Sequence, residues 1–456
     1  MTANVIHNKP LASRRHAPGP KGHFFVGSLP DFSRDPLGFL DLCAREYGDV
    51  VEMRVPNQLA FVVYHPDQIE ELLVAKSRNF IKAESLRLRP FRLLLGNGLL
   101  TSEGDFWRRQ RRLAQPAFHR ERIAGYADAM VGYTRRMLDT WKAGQTLDVH
   151  REMMRLTLEV VAKTLFDAEI AGDAEDVGEA LEVAMDRFSS QGSLVRALDN
   201  YLPTPGWLRL KRAAARLDRL IYGMIEQKRK SNRAGDDLLS MLLAARDEDG
   251  SHMTDKQLRD EALTLFLAGH ETTALALSWT FYLLGQNPEV ETRLADEVRS
   301  VLAGREPGAA DVTRLQYTGQ VIKETMRLYP PAWSIGREAI EDCEIGGYYV
   351  PARSQVFAVQ WTTHRDPRFF NAPGEFNPGR WTEDFEKNLP RFAYMPFGGG
   401  ARICIGNQFA MMEAVLILAT VIQRFSLELV PGQTVTPWPS ITLRPASGIR
   451  VSLHQR

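Results

Sequence analysis

An excess of charge of either sign is missing: 57 Lys and Arg stand against 56 Asp and Glu over 456 residues, a formal net charge of +1. So balanced a chain offers no global field for nucleic acid or an acidic polymer. Cysteine is scarce. Cys43, Cys343 and Cys404 lie far apart and none belongs to a CxxC pair, which excludes a disulfide scaffold, a zinc knuckle and a thioredoxin-type centre. Long apolar runs are lacking too. The longest, around Ala414–Ile422, falls well short of the roughly 20 residues that span a bilayer. The opening MTANVIHNKPLASRRHAPGPKGHFF has no apolar signal region. These absences predict a cytoplasmic protein with no membrane span and no nucleic-acid partner.

With 44% hydrophobic and 25% charged residues, the composition is that of a globular enzyme-sized chain. Residues 1–20 are polar, basic and broken by Pro and Gly, which predicts a flexible N-terminal arm. Gly48–Tyr64 reads as two strands around a Pro56-Asn57 turn. Amphipathic stretches then predict helices over Asp105–Gln115, Glu121–Lys142, Met153–Phe166 and Arg212–Lys230, with SNRAGDD (Ser231–Asp237) as a solvated loop. Thr254–Gln257 has the T-x-x-Q form of a capping box and opens an apolar helix reaching about Gly285. After Pro330-Pro331 come short strand-like pieces, a Pro/Gly-rich meander over Asp366–Gly400, a buried helix over Gln408–Phe425 and closing strands. No repeat and no clean linker interrupts this order. The expected fold class is mainly α with a smaller β region (α+β), residues 21–456 forming a single domain.

Four segments carry unusual chemistry. Phe397-Gly-Gly-Gly400-Ala-Arg402-Ile-Cys404-Ile-Gly406 is a glycine-rich turn that presents one cysteine ahead of a buried helix. Backbone N–H groups and the positive end of that helix favour a thiolate. Alone, this pattern suits an iron ligand, a nucleophile or a buried structural cysteine. Ala268-Gly269-His270-Glu271-Thr272-Thr273 places glycine, an acid and two hydroxyls in an otherwise apolar helix; a structural kink is the plainer explanation. His270 reads as a helix-surface residue. Glu324 and Arg327 share one helical face at i,i+3, as a surface pair would. Trp107-Arg-Arg-Gln-Arg111-Arg112 opens a helix whose arginines, alone, read as a solvated basic face.

Together and in this order, the segments resemble the cytochrome P450 superfamily. Every fixed position of its haem-binding signature, F-x-x-G-x-R-x-C-x-G, is filled from Phe397 to Gly406. The resemblance implies haem b (iron protoporphyrin IX) ligated by Cys404, with Phe397, Gly398 and Gly406 shaping the loop. It implies Trp107, Arg111, Arg337 and Arg402 as propionate partners and Ala268 as the small residue over the iron. Glu271 and Thr272 match the oxygen-activation motif that manages protons. Glu324, Arg327 and Arg380 of Phe376-Asn-Pro378-Gly-Arg380-Trp381 match a structural triad, with Trp381 where the family usually has Phe. His364-Arg365-Asp366-Pro367 also matches and reads as structural.

The implied reaction is monooxygenation: one atom of O2 enters a hydrophobic small molecule by hydroxylation or epoxidation. About 50 residues follow Cys404, too few for a fused reductase domain, so electrons are expected from a separate ferredoxin or flavodoxin with its NAD(P)H-dependent reductase. Arg108, Arg109 and Arg112 would face outward and suit an acidic partner. Leu94, Leu95, Leu265, Ala268, Trp333, Ile335 and Ile441 are the expected pocket residues. They are mostly apolar, which fits a fatty acid, a terpenoid or a polyketide alike; Arg87, Arg89 and Arg92 could meet a carboxylate or be merely solvated. A monomer is expected. A peroxide-using or rearranging haem-thiolate enzyme, and a non-catalytic haem sensor, remain as alternatives; neither explains why Glu271 and Thr272 are both kept.

Overall fold

The computed structural model describes residues 15–56, 58–170, 177–180, 183, 204–231, 235, 237–246 and 250–456. Only residues 15–20 of the expected arm, and little of the expected loop at Ser231–Asp237, fall among them. The principal helices are α1 (Pro36–Tyr47), α2 (Arg89–Leu95), α3 (Gly104–Ala114), α4 (Ala127–Leu138), α5 (Val149–Phe166), α6 (Pro205–Ser231), α7 (Leu238–Ala244), α8 (Asp255–Gln286), α9 (Pro288–Leu302), α10 (Gln316–Leu328) and α11 (Asn407–Arg424). The strands are β1 (Val50–Val55), β2 (Gln58–Val63), β3 (Phe80–Lys82), β4 (Thr146–Asp148), β5 (Ile335–Ala339), β6 (Cys343–Ile345), β7 (Tyr348–Val350), β8 (Gln355–Ala358), β9 (Phe425–Leu429), β10 (Pro437–Pro439), β11 (Leu443–Pro445) and β12 (Arg450–Gln455). They gather into two compact units.

The smaller unit combines Met1–Ser85, Ser334–Asn371 and Pro390–Ile403. Its α1 starts on Pro36 behind Asp35, whose carboxylate accepts the Gly38 N–H at 3.0 Å. The expected hairpin forms, β1 pairing β2 from Val50↔Val63 to Val55↔Gln58. It is one edge of a five-stranded sheet ordered β1-β2-β8-β5-β3, in which β2 and β8 run parallel. Phe61, Val63, Leu72, Ala339, Val356 and Ala358 pack into its core. Later in the chain His364 is fully buried, and its Nε2 accepts the Met395 N–H at 2.9 Å.

The larger unit combines Leu86–Trp333, Ala372–Leu389 and Cys404–Arg456. Its spine is α8, 32 residues long and so roughly 48 Å from end to end. The capping box is present: Thr254 accepts the Gln257 N–H at 3.2 Å, and the Gln257 side chain accepts the Thr254 N–H at 2.8 Å. The element α5 packs along α8, and a Cβ on Gly269 would come within 3.1 Å of Val161. Glycine there lets the two backbones approach. The apolar α11, β4-β12-β9 and the β10/β11 hairpin complete the unit.

Three boundaries differ from the sequence expectation, each for a local reason. The stretch Glu121–Lys142 is divided at Gly125, whose N–H turns to the Arg122 carbonyl (3.0 Å), giving Arg120–Ala124 and then α4. Helix α5 starts at Val149 because Asp148 caps it, accepting the His150 N–H at 3.0 Å. Helix α6 starts at Pro205, where the Thr204 hydroxyl accepts the Trp207 N–H at 3.2 Å. Proline at a first helical position removes a donor that has no partner there anyway.

Candidate active site

Between Leu258 and Phe281 every side chain of α8 is buried except those at Ala268, Gly269 and Thr272. Ala268 and Thr272 are one turn apart and share a face, so the core helix opens at a single strip. The Thr272 hydroxyl donates to the Ala268 carbonyl at 2.8 Å, and Thr273 donates more weakly to Gly269 at 3.3 Å. This is the back-bonding that the two threonines suggest in sequence.

Glu271, the residue before Thr272, is buried. Its Oε1 accepts the Thr442 hydroxyl at 2.6 Å and the Arg444 Nε–H at 2.8 Å. The neighbouring His270 corrects the sequence reading. It is 1% exposed, not on the helix surface. Its ring faces the Phe266 carbonyl (Nδ1 at 3.3 Å), and α5 covers it, Thr157 donating to its carbonyl at 2.9 Å. Burial holds this imidazole below its usual range.

Cys404 keeps contact with solvent, yet its thiol is raised above the ordinary value. Crowding by the surrounding chain outweighs the Gly406 N–H that reaches the sulfur and the positive charge of Arg111. A metal ligated here would displace the thiol proton. Burial in turn lowers Arg111, and Cys404 partly offsets it. Trp107 and Arg111, at i,i+4 on α3, line an open cleft of about 370 Å³ with Arg108, Arg112, Gln115, Pro116 and His119. Arg108 and Arg112 are exposed as expected, Arg108 pairing with Asp105. Arg109 is not; it is half-buried beside Gln110.

Glu324 and Arg327 are fully buried rather than a surface pair. Arg327 meets both carboxylate oxygens at 2.9 Å, and Arg380 Nε donates to Oε1 at 2.9 Å. Asn377 N–H adds 3.0 Å and Trp381 Nε1–H adds 2.9 Å. Five donors thus satisfy one buried charge, as such a charge requires.

Among the expected pocket residues of the larger unit, Leu94, Leu95, Leu265 and Trp333 are buried and Ile441 is half-buried. Trp333 Nε1–H donates to the Ser440 carbonyl at 2.7 Å. Arg89 lies over the Trp207 ring at 4.4 Å, a stacking use of its guanidinium. In the smaller unit Ile335 and Arg337 are half-buried on β5, and Phe397, Gly398 and Arg402 are half-buried in the turn before Cys404. Gly400 needs its residue type. Its φ is +65°, and a Cβ would fall 2.1 Å from the Leu73 carbonyl oxygen.

Two buried acids with raised proton affinity escaped the sequence reading. Glu413 on α11 is 0% exposed, and burial pushes it up to about 8. A contact with the Thr273 hydroxyl offsets part of this. Glu261 on α8 is pushed up to about 7 by burial, partly offset by the Leu99 N–H at 3.0 Å. One acid inside FAMMEAVLILATVI was the available signal for Glu413.

The donor set fits an iron porphyrin: a thiol for the metal, an indole and guanidiniums for carboxylates, and a small-residue strip on the acid-bearing helix. A fold of this kind with such a donor set is that of a haem-dependent oxygenase. The chain belongs to the cytochrome P450 family, whose model matches residues 17–452. It is similar to cyclooctatin synthase of Streptomyces melanosporofaciens, 39% identical over 433 residues and 94% of both chains. Pentalenene oxygenase of Streptomyces avermitilis is 33% identical, covering 94% of this chain and 95% of its own. A solved retinoic acid bound cyanobacterial structure matches with a TM-score of 0.87 and 29% identity, over 97% of this chain and all of that one. The protein is a haem-dependent monooxygenase that inserts one atom of O2 into a hydrophobic small molecule, with electrons from a redox partner. Among the described residues no helix is long and apolar enough to cross a membrane.

Proposed function

We propose that Cys404 would ligate the haem iron, that Trp107 and Arg111 would hold its propionates, and that dioxygen and substrate would meet α8 at the strip of Ala268 and Thr272. Arg337 and Arg402 as further propionate partners, and Phe397, Gly398 and Gly406 as loop-shaping residues, rest on the family motif. When bound, the haem supplies dioxygen binding and activation, its thiolate ligand favouring O–O cleavage. The chain supplies protons and dryness. Thr272 carries a hydroxyl at the strip, Glu271 is the acid beside it, and Glu324, Arg327 and Arg380 hold the fold beneath. Residues 21–456 act as one catalytic domain.

The proposed substrate is a terpene, a hydrocarbon or alcohol carrying a double bond. Support comes from the names of similar enzymes, pentalenene oxygenase and cyclooctat-9-en-7-ol 5-monooxygenase, and from the apolar character of Leu94, Leu95, Leu265, Trp333 and Ile441. The proposed electron donor is an acidic ferredoxin or flavodoxin with its NAD(P)H-dependent reductase in the cytoplasm, docking where Arg108 and Arg112 are exposed.

The observation that carries this reading is the Ala268/Thr272 strip, the one opening in a buried helix, set beside a buried acid. The test is a reduced carbon-monoxide difference spectrum followed by titration with terpenes, pentalenene first. A strongly red-shifted Soret band and a spin-state shift with terpenes but not with fatty acids are expected. A normal band would remove Cys404 as ligand; a shift with fatty acids alone would remove the terpene assignment.

A further inference from the structure

The β10/β11 hairpin is pinned on both sides of its turn. Trp333 Nε1–H holds the Ser440 carbonyl at 2.7 Å, and the Leu443 N–H donates to the Pro331 carbonyl at 2.9 Å. Trp279 Nε1–H holds the Leu443 carbonyl at 2.9 Å. Within the turn, the Ser440 N–H donates to the Thr442 carbonyl at 3.0 Å. A turn this constrained presents its side chains at fixed places, and two of them reach the same atom. Thr442 Oγ1 at 2.6 Å, Arg444 Nε at 2.8 Å and Arg444 Nη2 at 2.7 Å all converge on Oε1 of Glu271. Among the described residues no hydrogen bond reaches Oε2.

The surroundings make Arg444 the cation that counts. His150 of α5 faces the same cluster, with Asp148 beside it, and its Nδ1 lies 3.1 Å from the Ser278 hydroxyl. Burial drives this imidazole down to about 4, so it is neutral at working pH. His270, the other imidazole beside the acid, is buried and lowered as well. The Glu271 side chain is 3% exposed and that of Arg444 15%, so water screens the pair weakly.

We infer that Thr442 and Arg444 are positioning residues for Glu271: the hairpin fixes one carboxylate oxygen and leaves the other for proton transfer. Neither touches the reacting atoms; both act through the acid. This rests on the reading of Glu271 as the acid that handles protons, and the experiment separates the two.

Holoenzyme of Arg444→Gln, Arg444→Lys, Thr442→Val, Glu271→Gln and the double variant Glu271→Gln/Arg444→Gln is compared with a surrogate ferredoxin and reductase, without substrate. The readout is the share of NADPH electrons leaving as hydrogen peroxide rather than water, in H2O and D2O and across pH. Haem content and the reduced carbon-monoxide band serve as folding controls. The infrared carboxylate band of Glu271, taken as native minus Glu271→Gln, is a second readout independent of turnover. Arg444→Gln should change the peroxide-to-water ratio roughly tenfold, at the low end of general acid–base effects, and alter the solvent isotope effect. Arg444→Lys should recover most of this, and the infrared band should move in both Arg444→Gln and Thr442→Val. The double variant should be no worse than Glu271→Gln. Losses that add in the double variant, or an unmoved peroxide ratio with an altered band, would overturn the positioning role. Should Arg444→Gln fail to hold haem, Thr442→Val and Arg444→Lys decide by the same criteria. If Glu271→Gln itself leaves the ratio unchanged, the acid reading falls instead, whatever the band does.

Discussion

Trp381 donates its indole N–H to Oε2 of Glu324 at 2.9 Å, both side chains being buried. The indole stands where the family usually has phenylalanine and completes the coordination of a carboxylate already held by Arg327 and Arg380. Trp381→Phe keeps the ring and removes the donor. A hydrogen bond to a buried charge contributes about 1.5–3 kcal/mol, so denaturant unfolding should show a loss of that size. An unchanged midpoint with an unchanged slope would mean that the other four donors suffice.

Cys404→Ser replaces the thiol by a hydroxyl of similar size. Protein that folds should lose the red-shifted Soret band of the reduced carbon-monoxide complex. Retention of that band would show that another side chain ligates the iron.

Thr272→Ala deletes the hydroxyl at the exposed strip, whose removal leaves only the Ala268 carbonyl without a side-chain partner. Haem content should stay level while hydrogen peroxide per NADPH consumed rises and product falls, by the roughly 10²–10⁴ range of proton-transfer groups at most. Full conversion of NADPH into product would take Thr272 out of the proton path.

Glu413 ties stability to pH. Its folded-state value is about 8 against an ordinary 4.5, so the folded protein holds the proton more tightly than the unfolded chain. The stabilisation is complete below about 4.5 and is lost as pH rises toward 8. At about 1.4 kcal/mol per unit, a few kcal/mol are at stake. Glu413→Gln cannot ionise. Its melting temperature should match the native protein near pH 5 and exceed it at pH 8.5. A constant difference across that range would assign the loss to some other group, Glu261 being the next to test.

Much of this site was legible because its signals are local. Phe397–Gly406 needs a tight turn and a lone cysteine, both visible as residue types, and Thr254 and Gln257 declare their helix start by spacing alone. What stayed hidden depends on partners distant in the chain. In sequence Glu271 reads as an acid in a helix kink or a proton-handling motif; its counter-ion Arg444 lies on the closing hairpin, and nothing in either segment points to the other. His270 reads as a surface residue until α5 is packed over it. Glu413 reads as a stray charge in an apolar helix, since only burial on all sides raises its proton affinity. The start of α6 was missed because Thr204 and Pro205, a cap and a first-turn proline, resemble an ordinary loop.

The parallel pairing of β2 with β8 has a consequence for how the chain is made. Ala60 pairs with Gln355, and at about 5–20 residues per second a ribosome needs roughly 15–60 s to travel between them. Throughout that interval the hairpin Val50–Val63 has emerged with one edge open, and that edge carries Phe61, Val62 and Val63, all destined for full burial. An open apolar strand is a template for any other extended chain. Nascent polypeptides halted before residue 355 therefore expose an adhesive edge that the finished protein hides.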